Sequence, residues 1–337
     1  MAGPALAVSL GDPAGIGPEL ICEAWARREV EGLPAFFAVG GVRLLTAAAE
    51  TRGIALPVER IADPLAAPAV FPHALPVLDD IDGDYRPGAP SREGAALALA
   101  SLARAAALAD EGAAGGIVTG PIAKARLAEV GFTYPGQTEF VAAACRVTAE
   151  DAVMLLAGPS LRTVPLTVHC SLASVPGRLS VDLIRNRSRI VHEGMRRDFG
   201  IAAPRLAICA LNPHAGEEGR FGDEEQRIIA PAIAALRAEG IDASGPHPAD
   251  SLFAPHARDS FDVALCMYHD QALIPLKALD FDNGVNMTLG LPIVRTSPDH
   301  GTAFGIAGKR LAHPGAMIAA IRMAGEAAAR RAAATAR

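Results

Sequence analysis

Three histidines, His169, His214 and His269, each close an apolar run where it breaks into a turn, in VPLTVHC, LAICALNPHAGEEG and VALCMYHDQ. In open α/β sheets the chemistry collects at the carboxyl ends of the strands. Imidazoles delivered there from three separate segments have the donor chemistry of a catalytic metal site, which needs few protein ligands and an open position for substrate. No local ligand spacing such as HExxH accompanies them, so each histidine taken alone also reads as a hydrogen-bonded loop or core residue. Their neighbours keep a shared metal site beside that reading: Asn212, Pro213 and Gly216 around one, Asp270 and Gln271 beside another, and Lys277 soon after.

Two further segments carry chemistry. GLPIVRTSPDHGTAFGIAGK holds Arg295, Asp299 and His300 among small residues. Arg295 offers a planar fork suited to phosphate or carboxylate, with a surface ion pair as the alternative, and small residues let a flat ligand approach the backbone. GDPAGIGPE, residues 11–19, follows the first apolar run where a phosphate-cradling loop would open a helix. Counting from Gly15 and Gly17, the third glycine of GxGxxG would fall on Leu20, and no GK[ST] is present. A Rossmann dinucleotide site is therefore disfavoured here, and a tight turn for sheet–helix packing competes with a ligand loop. Cys170 follows His169 directly; because successive strand side chains face opposite ways, a ligand or nucleophile role for it is the weaker reading.

These residues must be held by short apolar runs that alternate with helical patterns: ALAVSL, AFFAVG, GGIVTG, AVMLLAG, RTVPLTV, RLAICAL and DVALCMY. Strands separated by helices predict an α/β fold with a mainly parallel, doubly wound sheet. RTVPLTV follows AVMLLAG across a tight GPS turn, which predicts an antiparallel hairpin and so a mixed sheet. The proline-rich stretches at 57–76 and 86–90 read as surface loops or short edge strands.

A chain of 337 residues exceeds one ordinary core and predicts two domains. Net charge is −6 and no Lys/Arg cluster is interleaved with aromatics, which excludes the usual nucleic-acid surface. An anionic ligand must then be held by a few placed cations. The opening MAGPALAVSLGDPAG lacks the charged start and apolar core of a signal peptide, and no later run reaches spanning length. A cytoplasmic protein with no membrane partner is expected, and its five scattered cysteines fit reduced thiols.

GDPAGIGPE, VTGPIAK, GQTEF, LNPHAGEEG, GPHPADSLF, MYHDQALIPLK and GVNMTLGLPIVRTSPDHGTAFGIAGK, taken in order from about residue 5 to 330, resemble the 4-hydroxythreonine-4-phosphate dehydrogenase family of vitamin B6 synthesis. More distantly, the GIGPE entry and the HGTA loop are similar to segments of isocitrate and isopropylmalate dehydrogenases. The resemblance implies a two-domain α/β fold of that type, with a mixed, mostly parallel sheet and the active site in the interdomain cleft. Residues 1–140 with 295–337 would form the cofactor side, and 141–294 the metal, substrate and dimerisation domain.

Carried over residue by residue, the resemblance implies metal ligation by His169, His214 and His269, and substrate contacts from Thr138, Lys277, Asn286 and Arg295. It places Gln137 where the family usually has histidine; an amide can donate a hydrogen bond but cannot carry a proton or charge. His300, Gly301, Thr302 and Ala303 would line the adenosine end of NAD or NADP. Lys277 is the expected carrier of substrate charge or protons, with Asp250 and Asp270 as partners of the imidazoles. One divalent ion, zinc, magnesium or cobalt, is implied at each site. So is a homodimer in which His269 reaches the metal held by the other chain's two histidines. The implied reaction is oxidation of a small phosphorylated hydroxy-amino acid followed by decarboxylation. A paralogous dehydrogenase of another phosphorylated hydroxy acid or of a dihydrodiol carboxylate is the alternative, and a metal-dependent hydrolase a weaker one.

Overall fold

A computed structural model describes residues 4–78 and 81–335. Its strands are, in chain order, β1 (Leu6–Ser9), β2 (Phe36–Val39), β3 (Val58–Ile61), β4 (Leu75–Leu78), β5 (Ile117–Thr119) and β6 (Val153–Ala157). There follow β7 (Arg162–Pro165), β8 (Leu206–Cys209), β9 (Ala243–His247), β10 (Val263–Cys266), β11 (Val285–Leu289) and β12 (Arg295–Pro298). The chain forms two compact units, Met1–Ala149 with Leu291–Arg337, and Glu150–Gly290.

In the first unit the strand order is β3-β4-β2-β1-β5-β12, all parallel. Strands β1, β2, β4, β5 and β12 are buried along their length, as sheets covered by helices on both faces require. The proline-rich stretch 57–76 yields an edge strand, β3, as expected, but also starts β4. Apolar Leu75, Val77 and Leu78 put β4 inside, paired with both β3 and β2. The carboxyl-terminal helix Gly315–Thr335 buries Met317, Ile318, Ala320 and Ile321, and the Ala320 carbonyl accepts from Thr296 Oγ1 at 2.9 Å. That bond fixes β12, which carries Arg295.

The glycines of the entry loop are spent on packing. Gly11 has φ +71°, and a Cβ there would lie 2.6 Å from the Pro121 carbonyl; one at Gly17 would lie 2.6 Å from the Leu10 carbonyl. Only a residue without a side chain fits so close to backbone.

The second unit has the order β11-β6-β7-β10-β8-β9. Strands β6 and β7 form the antiparallel hairpin expected across the GPS turn, β11 pairs antiparallel to β6, and β7, β10, β8 and β9 run parallel. The sheet is therefore mixed and mostly parallel. Among the described residues no helix is long and apolar enough to cross a membrane, and all five cysteines are free.

Candidate active site

Strands β7, β10 and β8 are adjacent and parallel, so their carboxyl ends share one edge of the sheet. Each leads into a histidine-bearing turn: β7 into His169, β8 into His214, and β10 into His269, the first residue of the helix His269–Asp280. Topology thus delivers three imidazoles to one sheet end.

The turn after β8 is strained. His214, Ala215, Gly216, Glu217 and Glu218 all have positive φ, between 41° and 78°, where each non-glycine residue costs about 1–2 kcal/mol. Such a run persists only if its surroundings determine it, and strained backbone of this kind clusters at functional sites. Glu225 supplies the hold. It is 3% exposed, and its carboxylate accepts from Leu211 N–H at 2.9 Å, Asn212 N–H at 2.8 Å and Asn212 Nδ2 at 3.1 Å. It opens a π turn, Glu225–Ile229, an irregularity frequent at functional sites. His169 is likewise left-handed, φ 49°.

The helix His269–Asp280 is fixed at both ends. Gln271 Oε1 accepts from Met267 N–H at 2.7 Å, and its Nε2 donates to the Ala210 carbonyl at 2.8 Å, tying the ends of β10 and β8 together. At the far end Asp280 accepts from Ser160 N–H at 2.9 Å and Ser160 Oγ at 3.0 Å. Lys277, one helical turn from that anchor, is half-buried with Nζ 5.9 Å from the Phe281 ring centre.

His269 Nδ1 lies 2.8 Å from Asp270 Oδ1, which leaves Nε2 as the ring's other nitrogen. The rings of His169 and His269 are 6.2 Å apart, centre to centre, and both line a cavity of about 370 Å³ with Cys170, Leu172 and Asp270. His214 instead lies 6.2 Å from the Phe221 ring. Among the described residues no three His, Cys, Asp or Glu side chains gather as a metal site. Asp250 is exposed and accepts from Ser251 N–H at 2.8 Å. Asn286, on β11, has a buried Oδ1 with no hydrogen-bond partner among the described residues.

In the first unit, Arg295 is not on a surface loop but in β12, 3% exposed. The surface ion-pair alternative is thereby removed. Its Nη2 donates to Thr119 Oγ1 at 2.9 Å and its Nη1 to Thr138 Oγ1 at 3.2 Å. Burial pulls its guanidinium down to about 10 while Glu139 pushes the other way, so it remains a cation at neutral pH. Gln137 and Thr138 begin the helix Gln137–Ala144, whose free N–H groups favour an anion. Gln137 Nε2 is engaged on the Gly120 carbonyl at 3.0 Å, and its buried Oε1 has no partner among the described residues. Nearby on the same unit His300 Nδ1 lies 3.0 Å from the Gly301 carbonyl, and the Thr302 carbonyl accepts from Ile16 N–H at 3.0 Å. Ala303 has φ 48°.

Residue types could not announce Glu225 or Gln271 as braces, although Gln271 stands beside His269 in VALCMYHDQ. The family described as pyridoxal phosphate biosynthetic protein PdxA matches residues 33–324. A 4-hydroxythreonine-4-phosphate dehydrogenase from Erythrobacter litoralis is 64% identical over 327 residues, 97% of each chain. The chain belongs to the PdxA family. It is accordingly an oxidoreductase acting on a CH–OH group. Among solved structures similar to this PdxA chain is 4-hydroxythreonine-4-phosphate dehydrogenase from Klebsiella pneumoniae, with TM-score 0.85, 38% identity, and coverage of 97% of this chain and 98% of that one. Terephthalate 1,2-cis-dihydrodiol dehydrogenase from Burkholderia xenovorans is similar with TM-score 0.66 and 30% identity, covering 96% and 98%.

Proposed function

We propose that this protein oxidises 4-phosphooxy-L-threonine at its C3 hydroxyl with NAD or NADP, giving 2-amino-3-oxo-4-phosphooxybutanoate. That β-keto acid loses CO2 to yield 3-amino-2-oxopropyl phosphate on the route to pyridoxal 5′-phosphate. The observation that carries this reading is the buried Arg295 fork on Thr119 and Thr138, in a chain with relatives 64% and 53% identical that are named for that phosphorylated substrate.

Arg295, with Thr138, binds an anionic end of the substrate. Gln137, its nitrogen held by Gly120, presents an acceptor and so receives a hydrogen bond from a substrate donor rather than giving one to phosphate. Asn286 Oδ1 is a second acceptor lacking a donor. Lys277 carries substrate charge or moves the proton of the hydroxyl, an ammonium being a compact charge on a flexible stem with three donors.

His169, His214 and His269 fit a divalent ion, because neutral imidazole suits zinc and cobalt well and magnesium less. Asp270 orients the His269 ring as the partners of metal-bound histidines do, and Asp250 is assigned a supporting place. When bound, the ion supplies Lewis acidity at the substrate oxygen and the nicotinamide accepts the hydride. His300, Gly301, Thr302 and Ala303 take the adenosine end of the nicotinamide cofactor.

The assembly in this reading is a cytoplasmic homodimer, with His214 and His269 serving any one metal from different chains. Exposed apolar side chains on all three histidine segments support it: Leu172 at 65%, Phe221 at 51% and Ile274 at 65%. Large apolar patches of that kind mark interaction surfaces.

The dihydrodiol dehydrogenase likeness favours one second reading, a cyclic dihydrodiol carboxylate as substrate. A substrate panel with purified protein separates them: reduction of nicotinamide by 4-phosphooxy-L-threonine and not by the dihydrodiol supports the proposal, and the reverse refutes it.

A further inference from the structure

The entry loop GDPAGIGPE holds two buried carboxylates with oxygens that lack a hydrogen-bond partner among the described residues, Glu19, which lies 3.7 Å from Arg52 Nη1, and Asp12. Its glycines meet neighbouring backbone, as described for Gly11 and Gly17, and a Cβ at Gly15 would lie 2.7 Å from the Thr302 carbonyl. Asp12 is different. It is 1% exposed, and its Oδ1 accepts from Ala14 N–H at 2.9 Å. Its Oδ2 is buried with no hydrogen-bond partner among the described residues. A buried oxygen left without a donor costs roughly 1–3 kcal/mol, and Asp12 is among the residues that line a cavity of about 520 Å³. That volume lies within the range of roughly 300–1,000 Å³ typical of small-molecule sites.

The chemistry of the walls narrows the occupant. Arg43 and Arg86 reach the cavity, but both are already paired. Arg43 Nε is 3.2 Å from Asp82 Oδ2, and Arg86 Nη2 is 2.9 Å from Asp84 Oδ2. With Asp12 and Glu93 added, acidic groups exceed basic ones, which disfavours a phosphate inside. Burial pushes the Asp12 carboxyl up, while the Ala14 N–H and the Arg126 charge pull it down. A hydroxyl both donates and accepts, so it satisfies Oδ2 whether or not the carboxyl is protonated. A sugar hydroxyl is therefore the fitting partner, and carboxylate recognition of ribose is a recurrent device in dinucleotide sites.

Position supplies the sugar. The cavity wall at residues 12–14 runs into Ile16, whose N–H donates to Thr302, and Ala14 O accepts from Gly88 N–H at 2.8 Å. We propose that Asp12 is the acceptor for a hydroxyl of the adenosine ribose of the nicotinamide dinucleotide, in the cavity between the entry loop and the start of the helix Arg92–Asp110. This rests on the nicotinamide reading above, and it assigns to the entry loop a ligand role without any glycine cradle for phosphate.

The test is a double-mutant cycle in which one partner is the ligand. Binding of NAD+ and of its 2′-deoxy and 3′-deoxy adenosine analogues is measured by calorimetry for the intact protein and for Asp12→Asn. The intact protein should lose about tenfold in affinity when the contacted hydroxyl is removed, the scale of a hydrogen bond to a charged group. Asp12→Asn should bind NAD+ about tenfold more weakly and be indifferent to the same deletion. Independent, multiplying losses overturn the assignment, as does an intact protein that ignores both deletions, a result that stands even if the variant does not fold. An intact protein that binds no nicotinamide dinucleotide at all overturns the cofactor reading together with this one, whereas tight binding with no hydroxyl dependence overturns only this one.

Discussion

Glu225 grips Asn212 from two sides: one carboxylate oxygen accepts the Asn212 backbone N–H at 2.8 Å, and the other accepts its side-chain Nδ2 at 3.1 Å. Two residues later the chain enters the left-handed run that carries His214. Glu225→Gln keeps the shape but turns an NH2 group toward N–H donors. Stability should fall by roughly 1–3 kcal/mol, read by urea melts. Metal affinity should fall by about tenfold or more, as for other groups that orient a ligand, read by titration with cobalt or zinc. Unchanged metal affinity in a folded variant would detach Glu225 from the site.

Arg295→Lys should be far from conservative. An ammonium cannot reach Thr119 and Thr138 as the fork does. The burial that brings the guanidinium down to about 10 acts on an ammonium too, pulling its pKa below the ordinary lysine value. Desolvation disfavours the charged form, so the variant loses its cation as pH rises through that lowered pKa. Its KM for the phosphorylated substrate should climb on the alkaline side at a lower pH than the native enzyme's. Parallel pH profiles would count against a substrate-binding role.

Mixing His214→Ala with His269→Ala tests how the histidines are shared. Each variant alone should lose turnover by orders of magnitude, since a site of three ligands is left incomplete. If the two residues serve a metal from different chains, hybrid dimers restore one intact site of two, and activity returns to a fraction of the native level. Absence of recovery after verified subunit exchange would place the site within one chain.

Much of this was readable from residue order because β8 and β10, which lead to His214 and His269, are apolar throughout. ALAVSL, RLAICAL and DVALCMY could hardly be anything but buried strands, and the GPS turn fixed the β6–β7 hairpin. Strands β11 and β12 were not readable. VNMTL and RTSP look like loops, because Thr288, Arg295 and Thr296 are polar residues buried by tertiary partners that no local pattern reveals. Nor does AGEEG signal a left-handed run, since only one of its central positions is glycine. The histidines themselves were found by their place at strand ends; the Glu225 and Gln271 braces depend on contacts set by the folded chain.

The most direct measurement follows nicotinamide reduction and CO2 release together, using purified protein, 4-phosphooxy-L-threonine, and NAD+ or NADP+. It is made with a divalent ion, after chelation, and after the ion is restored. Equimolar reduced nicotinamide and CO2, abolished by the chelator and recovered with zinc or cobalt, is the predicted result. Turnover without any reduced nicotinamide, such as release of inorganic phosphate alone, or oxidation that chelation leaves untouched, would contradict it.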